Sequence, residues 1–506
     1  MSELQKLKIF VNGNYVESKT EKYMEVFNPS TGEVIALTPC CTKAEVEEAI
    51  QAANSAYPGW KNTPVYKRAQ LFFNLRNLIE KNLPELTEIL ARENGKVWSE
   101  AEGDVLKAKE MTEIACGTPN MLMGEALMDT SLDYDTTLYR EPLGVFAGIA
   151  PWNFPAMIPM GWMSPLAIAC GNTFVLKAAS MTPMTALRIA GLYKEAGFPD
   201  GVINVVTCSR HESEIFLSHP DVKGVTFVGS TSVGRHIYAT AAANGKRVQA
   251  LCEAKNHALV LKDAPITRTA AGIMNSAFGC AGERCMALPA VVVEEEVADQ
   301  LVAELIRLCK QQKIGPAYDK ASQFGPVVTA SHKKSVTDWI NKGVAQGAKL
   351  VLDGRNCIVQ GFENGFFVGH TIFDHVGPQM SIGNEEIFGP VLCIKRVKNF
   401  EEGLALMNAN QFANGSVIFT QSGFHAREFA KRTDGGMVGI NVGIPVPVGA
   451  FPFCGHKNSF FGDLHCHGKD AFRFYTESKT ITERWFDEEE MAKDTVSTWD
   501  GSLAAK

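Results

Sequence analysis

The sequence predicts an α/β fold in which parallel sheets are covered by helices. Strand-like and helix-like segments alternate along the chain, which is the pattern of such a fold. The 506 residues exceed what one hydrophobic core usually supports, so we expect two or more packed units. A hydrophobic content of 45% and a charged content of 21% are ordinary for globular proteins, and disorder is not expected over most of the length.

The first strand and helix units are predicted in the first half of the chain. Apolar runs at 144–150 and 172–177 predict two strands, and the apolar residues between them have helical spacing. A helix is predicted over 182–197, where Gly197 and Pro199 end it. This order of elements is typical of neighbouring parallel strands.

A second pair of strands is predicted at 202–206 and 225–229, followed by a helix that Ser230 is placed to cap. The turn into this helix contains Gly229, and Gly234 follows. Such a turn brings backbone N–H groups and a helix N-terminus up to a phosphate, so it outlines a dinucleotide site. Glycines between a strand and a helix are also ordinary turn residues, and the spacing is not GxGxxG.

The stretch 142–176 contains no Asp, Glu, Lys, Arg or His and is long enough to cross a bilayer. Five prolines and two asparagines interrupt any continuous helix there. We therefore expect no membrane span, and we interpret the stretch as part of an enclosed crevice.

Charge and cysteine usage exclude several classes of protein. A net charge of −7 offers no broad basic surface, so nucleic acid is not expected as a partner. The 13 cysteines include no CxxC pair and form no disulfide framework, which favours a reducing compartment. The N-terminus is charged throughout and lacks the apolar core of a secretory signal, so we expect a cytoplasmic protein.

Cys285 is a candidate nucleophile among glycines and small apolar residues. It follows Arg284, and a neighbouring cation lowers a thiol pKa toward the range where the attacking thiolate is populated. On residue type alone, a small buried hydrophobe is the commoner alternative. Beyond Cys285, residues 287–312 return to a strand followed by a helix, which predicts a second α/β domain.

Four motifs in order along the chain resemble the aldehyde dehydrogenase superfamily. They are PWNFP (151–155), FVGSTSVG (227–234), GERC (282–285) and EEIFGPV (385–391). Within the superfamily, three further stretches most resemble the CoA-acylating methylmalonate-semialdehyde dehydrogenases. These are AKNH (254–257), GERCMAL (282–288) and NVGIPVPVGAFPF (441–453).

The resemblance implies a fold and its division into domains. A Rossmann-type NAD(P)-binding domain would comprise residues 1–127 and 143–254, and an α/β catalytic domain residues 255–455. A small β oligomerisation element would comprise residues 128–142 and 456–506. Members of the family assemble through such an element, so a homodimer or homotetramer is expected.

The resemblance also implies catalytic roles. Cys285 would attack an aldehyde, and the Asn153 side-chain amide with the Cys285 N–H would stabilise the resulting oxyanion. Glu386 and Phe388 would hold the nicotinamide end of the cofactor, with Glu386 receiving the ribose hydroxyls. Taken alone, Asn153 is an ordinary turn residue and Glu386 an ordinary surface carboxylate.

Further positions match the family's cofactor site. Lys177 would contact the adenosine ribose, and Trp152, Gly229 and Ser230 would lie near the ribose and pyrophosphate. Ser180 stands where NAD-preferring relatives carry a glutamate, so a 2′-phosphate would meet no negative charge there. NAD is the expected cofactor, and NADP stays open.

One departure from the family pattern bears on the acyl acceptor. Hydrolytic members keep a glutamate as general base at the position of Leu251, and without it the thioester would wait for CoA thiolate as a co-substrate. Glu253, two residues on, replaces a glycine and could offer a carboxylate from another direction. A shift of two residues along an extended segment moves the group by about 6–7 Å.

Substrate recognition is implied at two cations. Arg284 matches one of the two arginines that hold the substrate carboxylate in the methylmalonate-semialdehyde enzymes, and Lys107 falls on the other. Lysine keeps the charge but not the two-pronged geometry that suits a planar carboxylate, so a rounder sulfonate becomes acceptable. The alternative for Lys107 is a solvated helix residue.

These features predict NAD(P)-dependent oxidation of a short anionic semialdehyde, of the malonate or methylmalonate type, through a Cys285 thioester with transfer to CoA. For malonate-type substrates the reaction would release carbon dioxide. One alternative is a CoA-independent enzyme that releases a free acid from an anionic aldehyde such as 3-sulfolactaldehyde. Another is a catalytically silent homologue that serves as a scaffold.

No metal site is predicted. His465, Cys466 and His467 are adjacent, and adjacent side chains on an extended segment point to opposite faces, which does not suit a common ligand.

Overall fold

The computed structural model describes residues 4–131 and 133–492. The strands within these residues are β1 (Ile9–Val11), β2 (Asn14–Val16), β3 (Tyr23–Asn28), β4 (Glu33–Pro39), β5 (Glu125–Ser131), β6 (Tyr134–Pro142), β7 (Val145–Ile149), β8 (Thr173–Lys177), β9 (Ile203–Val206), β10 (Val222–Val228), β11 (Arg247–Leu251), β12 (His257–Val260), β13 (Ala290–Glu294), β14 (Lys349–Leu352), β15 (Thr371–Asp374), β16 (Val391–Val397), β17 (Phe412–Ala413), β18 (Gly415–Phe419), β19 (Met437–Ile440), β20 (His456–Lys457), β21 (Phe460–Gly462) and β22 (Thr476–Arg484).

The helices of the described residues are α1 (Lys43–Lys61), α2 (Val65–Lys81), α3 (Leu83–Asn94), α4 (Trp98–Cys116), α5 (Thr118–Met121), α6 (Ser164–Ala169), α7 (Met184–Glu195), α8 (Arg210–Ser213), α9 (Ile215–Ser218), α10 (Thr231–Ala243), α11 (Ile266–Phe278), α12 (Glu295–Gln311), α13 (Ala330–Ala345), α14 (Phe400–Asn408), α15 (Gly423–Arg432), α16 (Gly468–Phe474) and α17 (Glu488–Met491). A π-helical segment, Ile158–Met163, precedes α6. Short 3₁₀ turns occur at Gly279–Gly282 and Ser381–Gly383.

The first sheet has eight strands in the order β2-β1-β9-β8-β7-β10-β11-β21. The five strands from β9 to β11 are parallel, and antiparallel strands close both edges. The chain builds outward from β7 to β9 and then places β10 on the other side of β7. Ligands of open α/β sheets bind beyond the carboxyl ends of the strands at such a reversal, so this sheet offers a site between the ends of β7 and β10.

The second sheet has seven strands in the order β14-β15-β16-β13-β12-β18-β19. All are parallel except β14, which pairs with β15 in the antiparallel direction. Every residue of β12, β13 and β18 is buried, as expected for parallel strands covered on both faces. Cys285 lies in the loop between α11 and β13, where it is held by this rigid core.

A third sheet consists of β22, β6 and β5, all antiparallel. It contains the segment near 128–142 that was predicted to form an oligomerisation element. Strand β21, which the same division gave to that element, instead pairs with β11 in the first sheet. Residues 493–506 of the predicted element lie outside the described residues.

The predicted parallel α/β fold is confirmed, and the strands predicted at 144–150, 172–177 and 202–206 correspond to β7, β8 and β9. Strand β10 begins three residues before the predicted 225–229. The uncharged stretch that begins at residue 142 folds as a strand, a loop, two short helical segments and part of a further strand. Among residues 4–131 and 133–492, no helix combines the length and apolar character that a bilayer crossing needs.

Candidate active site

Cys285 lines a cavity of about 350 Å³. The cavity lies between segments that connect the strands of the two large sheets. The lining is mostly apolar, with charged side chains on one wall, and comprises Ser99, Glu100, Gly103, Asp104, Lys107, Phe154, Met157, Trp162, Cys280, Arg284, Cys285, Met286, Ile444 and Val446. A small cavity with a thiol and several polar groups suits a short polar substrate.

The loop before Cys285 has an unusual backbone. Cys280 and Ala281 both have φ of 51°, in the left-handed region that non-glycine residues rarely adopt, and Gly282 follows at 76°. A Cβ on Gly282 would come within 2.3 Å of the carbonyl oxygen of Gly389. The close approach of these two loops therefore requires glycine at position 282.

The carbonyl of Cys285 is held from two sides. Asn256 Nδ2 donates to it at 2.8 Å and Asn414 Nδ2 at 3.2 Å. Asn256 also donates to the carbonyl of Ala287 at 2.8 Å. Because both asparagines come from the second sheet's strand ends, they fix the nucleophile's backbone to the core.

The thiol of Cys285 is protonated at neutral pH in this state. Burial raises its pKa to about 12, and the negative charge of Glu386 adds to the rise. The backbone N–H groups of Cys285 and Met286 and the charge of Lys96 lower the pKa by smaller amounts. Arg284 interacts with this thiol electrostatically, because the charge of Cys285 is one of the causes that raise the pKa of Arg284, but its hydrogen bonds go to other groups.

Arg284 is engaged elsewhere. Its Nη2 lies 2.9 Å from Glu100 Oε1, and its Nε donates to Cys280 Sγ at 3.1 Å. The same Glu100 oxygen also accepts the backbone N–H of Cys280 at 2.8 Å. The guanidinium thus stiffens the nucleophile loop, which is a role that its place in the sequence did not indicate.

Asn153 is buried and points its amide at the nucleophile loop. Its Nδ2 donates to the carbonyl oxygen of Glu283 at 3.0 Å. An amide nitrogen carries two hydrogens, so one further N–H is available to a substrate oxygen. The structure therefore brings Asn153 next to the segment that carries Cys285.

Glu386 is half-buried, and its Oε1 accepts the backbone N–H of Ala254 at 2.9 Å. Burial raises its pKa to about 8. Phe388 has φ of 61°, and its ring meets that of Trp152 edge to face at 5.5 Å. Trp152 and Phe388, two of the predicted cofactor residues, are thus in contact with each other.

A second cavity, of about 250 Å³, lies where the first sheet reverses its strand order. Lys177, Gly229 and Ser230 line it together with Ile149 at the end of β7, as predicted for a cofactor site. Lys177 is half-buried at the end of β8, and the partial loss of solvent around its ammonium lowers its pKa. Ser180 is buried nearby in sequence but is not among the residues that line this cavity.

A dinucleotide fits these residues in chemical type. The start of the helix after Ser230 presents backbone N–H groups that suit phosphate, Lys177 offers a cation at the ribose end, and Glu386 offers an acceptor for hydroxyls.

Lys107 lines the Cys285 cavity as predicted, but its side chain is 48% exposed and pairs with Glu110 one turn later in α4. The two predicted substrate cations, Arg284 and Lys107, therefore do share one cavity. Each of these two cations already pairs with a carboxylate, Arg284 with Glu100 and Lys107 with Glu110.

Sequence reasoning missed a buried ion pair beside this cavity. Lys96 Nζ lies 2.7 Å from Asp104 Oδ2 and 3.3 Å from the centre of the Phe154 ring. Asp104 Oδ1 accepts the backbone N–H of Met157 at 2.7 Å, which ties α4 to the loop after Asn153. The two residues stand eight positions apart across the start of a helix, and no motif links them.

Leu251, at the end of β11, and Glu253, two residues later, have different surroundings. Leu251 is buried and packs in the same apolar cluster as Cys285. Glu253 directs its carboxylate to the backbone N–H of Thr231 at 3.0 Å.

No group of three or more His, Cys, Asp or Glu within the described ranges could hold a metal ion. His467 instead packs its ring against Trp162.

The sequence profile of the Aldehyde dehydrogenase family matches residues 15–481. The chain is 46% identical over 485 residues to a malonate-semialdehyde dehydrogenase of Bacillus cytotoxicus, covering 96% of this chain and 99% of that protein. It is 47% identical over 483 residues to malonate-semialdehyde dehydrogenase 2 of Geobacillus kaustophilus, covering 95% and 99%.

Solved structures are similar over the same length. A methylmalonate-semialdehyde dehydrogenase from Oceanimonas doudoroffii superposes with a TM-score of 0.94 at 44% identity, covering 96% of this chain and 99% of that one. A chain from Sinorhizobium meliloti 1021 solved as a complex with NAD gives the same TM-score at 42% identity and the same coverage.

Proposed function

The chain belongs to the aldehyde dehydrogenase family, and on that basis we propose that it oxidises a short anionic semialdehyde of the malonate or methylmalonate type. Cys285 is the nucleophile, NAD the hydride acceptor and CoA the acyl acceptor. The observation that carries the proposal is the thiol of Cys285 in a small cavity that also contains Arg284 and Lys107. Relatives named malonate-semialdehyde dehydrogenase match nearly the whole chain, which supports the substrate class.

The chemistry begins at Cys285 Sγ. The thiol gives up its proton to solvent and the resulting thiolate attacks the aldehyde carbon. The second N–H of Asn153 and the Cys285 N–H then donate hydrogen bonds to the oxyanion that forms. Nicotinamide supplies the acceptor for the hydride when it is bound. Loss of that hydride leaves the acyl group on Sγ as a thioester, and the carbonyl contacts from Asn256 and Asn414 keep the loop in place.

CoA is the acceptor because this chain lacks a base at the hydrolytic position. Leu251 is apolar and buried where hydrolytic relatives carry a glutamate, so a water near Sγ meets no carboxylate from that strand. CoA thiolate attacks the thioester carbon and expels the Cys285 thiolate. For malonate-type substrates, carbon dioxide is released as well.

The anionic group of the substrate binds near Arg284 and Lys107. Both cations line the cavity, and the exposed ammonium of Lys107 can turn toward a ligand more easily than the guanidinium that Glu100 and Cys280 hold. Lysine accepts a round sulfonate as well as a planar carboxylate. This favours 3-sulfolactaldehyde as a second substrate class.

NAD is the proposed cofactor. The S. meliloti relative was solved with NAD, and Glu386, Lys177 and the start of α10 suit a dinucleotide. Ser180 does not line the cavity, so it exerts little control over a 2′-phosphate, and NADP is the cofactor to compare.

A homodimer or homotetramer formed through the β5, β6 and β22 sheet is part of the proposal. Leu127, Met128 and Tyr139 on this sheet are exposed apolar side chains. An exposed apolar patch on a projecting sheet is typical of an interface. We also propose that the enzyme is cytoplasmic, since its cysteines indicate a reducing compartment.

The test is a panel of malonate semialdehyde, methylmalonate semialdehyde and 3-sulfolactaldehyde, assayed with NAD or NADP and with or without CoA. We expect NADH and an acyl-CoA to appear together, and Cys285→Ser to abolish both while NAD binding persists. Full turnover to the free acid without CoA would contradict acyl transfer. No turnover in any combination would indicate the silent homologue.

A further inference from the structure

Glu253 caps helix α10. Its Oε2 accepts the N–H of Thr231, the first residue of the helix, at 3.0 Å, and its own N–H donates to Thr231 Oγ1 at 3.3 Å. Ser230 occupies the N-cap position but makes no side-chain bond to the helix backbone, and its Oγ lies 3.5 Å from Ser232 Oγ. The cap therefore comes from a residue 22 positions along the chain.

The backbone of Glu253 has a contact of its own, separate from the bond that its carboxylate makes to Thr231. Ser459 Oγ donates to the Glu253 carbonyl at 2.7 Å, and Thr231 Oγ1 donates to the carbonyl of Asn458 at 3.2 Å. With these main-chain contacts retained, the carboxylate can leave the helix by side-chain rotation alone.

The same helix N-terminus is the phosphate-binding feature of the crevice. Gly229 and Ser230 line the 250 Å³ cavity at the reversal of strand order, immediately before Thr231. Backbone N–H groups at the start of a helix favour an anion, whether a carboxylate or a phosphate. Glu253 and a diphosphate would compete for the same N–H.

A second acid lies close to this point. Burial is the main cause that raises the pKa of Glu386, and the charge of Glu253 adds to it, so the two carboxylates interact. A diphosphate that approaches the start of α10 thus meets negative charge as well as an occupied donor.

We propose that Glu253 is a built-in competitor of the cofactor's diphosphate: it caps Thr231 in the empty crevice and rotates away when the diphosphate binds. The inference rests on the proposed function, because it requires a dinucleotide in this crevice. Glu253 lowers the affinity for the phosphate-bearing part of the cofactor and leaves the affinity for adenosine unchanged. Because this affinity is lower, the reduced cofactor is also released faster.

The experiment compares ligands that differ by the diphosphate. Isothermal titration calorimetry on the full-length enzyme measures Kd for adenosine, ADP and NAD in the wild type, Glu253→Ala and Glu253→Gln. The matched control is Glu402→Gln, because Glu402 is also a helix-start carboxylate that accepts a backbone N–H, that of Lys398 at 2.9 Å, but in α14.

We expect Glu253→Ala to tighten ADP and NAD by about tenfold, the effect of roughly one charge-assisted hydrogen bond, while adenosine is unchanged. Glu253→Gln should give a smaller gain, because the amide oxygen still caps the helix without the charge. Glu402→Gln should change nothing. Stopped-flow release of NADH should slow in Glu253→Ala.

The inference would be overturned if Glu253→Ala kept the wild-type ratio of ADP affinity to adenosine affinity. It would also be overturned if Glu402→Gln changed this ratio by as much as Glu253→Ala does. If Glu253→Ala does not fold, the ratio in Glu253→Gln decides. A wild type that binds neither NAD nor ADP would refute the proposed function and the inference with it. If the wild type binds NAD but the Glu253 variants keep the wild-type ratio of ADP to adenosine affinity, only the inference is refuted.

Discussion

The side-chain amide of Asn153 lies 3.0 Å from the carbonyl oxygen of Glu283, two residues before the nucleophile Cys285. This contact joins the loop after β7 to the loop that carries the thiol. It favours an arrangement in which the proposed oxyanion donor stays next to the proposed nucleophile.

Asn153→Ala is expected to lower kcat by about 10²–10³-fold, the usual cost of one oxyanion donor. Stability should fall only modestly, because the partner that loses a hydrogen bond is a single carbonyl. Steady-state kinetics and thermal unfolding measure the two effects. A loss of activity that merely parallels a loss of folded protein would contradict the oxyanion role.

Glu386→Gln is expected to make Cys285 react faster with iodoacetamide. Burial raises the thiol pKa to about 12 and the charge of Glu386 adds to it, so removing that charge increases the thiolate fraction. Because the pKa of Glu386 is itself raised to about 8, the carboxyl is mostly neutral at pH 7 and ionised above pH 8.

The difference between Glu386→Gln and the wild type should therefore be small at pH 7 and grow above pH 8. At pH 9 it should approach about tenfold if the charge contributes one pKa unit. Alkylation of the apoenzyme is followed by mass spectrometry from pH 7 to 10. Equal rates across this range would show that burial alone governs the thiol.

Lys107→Ala is expected to raise KM for anionic semialdehydes by about tenfold and to leave KM for propionaldehyde unchanged. The ammonium lines the substrate cavity and contributes a point charge to a partly exposed site. Lys107→Arg serves as the control that keeps the charge. If the neutral and anionic aldehydes lose affinity together, Lys107 acts only as a helix residue.

Sequence patterns predict Lys177, Gly229 and Ser230 at one site, and these three residues do line one crevice, but the contacts at the start of α10 differ from those expected. Ser230 was expected to cap α10 and does stand at the N-cap position, yet the cap comes from Glu253. Gly234 was interpreted as part of a phosphate turn, but a Cβ there would lie 2.3 Å from Cys252 Sγ. Glycine is therefore required at position 234 because α10 packs closely against Cys252.

The charge network of the Cys285 cavity could not be predicted. The adjacency of Arg284 and Cys285 predicts that the guanidinium activates the thiol, and that role stays a prediction, but no pattern indicates the ion pair of Arg284 with Glu100, 184 positions away in sequence. Local spacing carries information about caps, turns and strand order, but the pairing of distant charges depends on how the two sheets pack. The predicted roles of Arg284 and Lys107 toward substrate stay predictions.

Asp104→Asn is expected to destabilise the fold by about 3–5 kcal/mol, because it leaves the Lys96 ammonium buried without its charged partner. Denaturant unfolding measures the change. Lys19→Met, which breaks the exposed pair with Glu48, is the control and should have no measurable effect. Similar losses in both variants would argue that burial of the pair is not the cause.

Leu251→Glu is expected to divert the Cys285 thioester from CoA to water. Leu251 stands where hydrolytic members of the family carry their glutamate, so a carboxylate there can act as the base that the chain lacks. The readout is the ratio of free acid to acyl-CoA at fixed CoA, which partial unfolding cannot mimic. Leu251→Gln has the same size without a base and should keep acyl-CoA as the product. If Leu251→Glu and Leu251→Gln give the same product ratio, the missing glutamate does not explain the choice of acceptor, and exclusion of water by the cavity wall becomes the physical cause to measure.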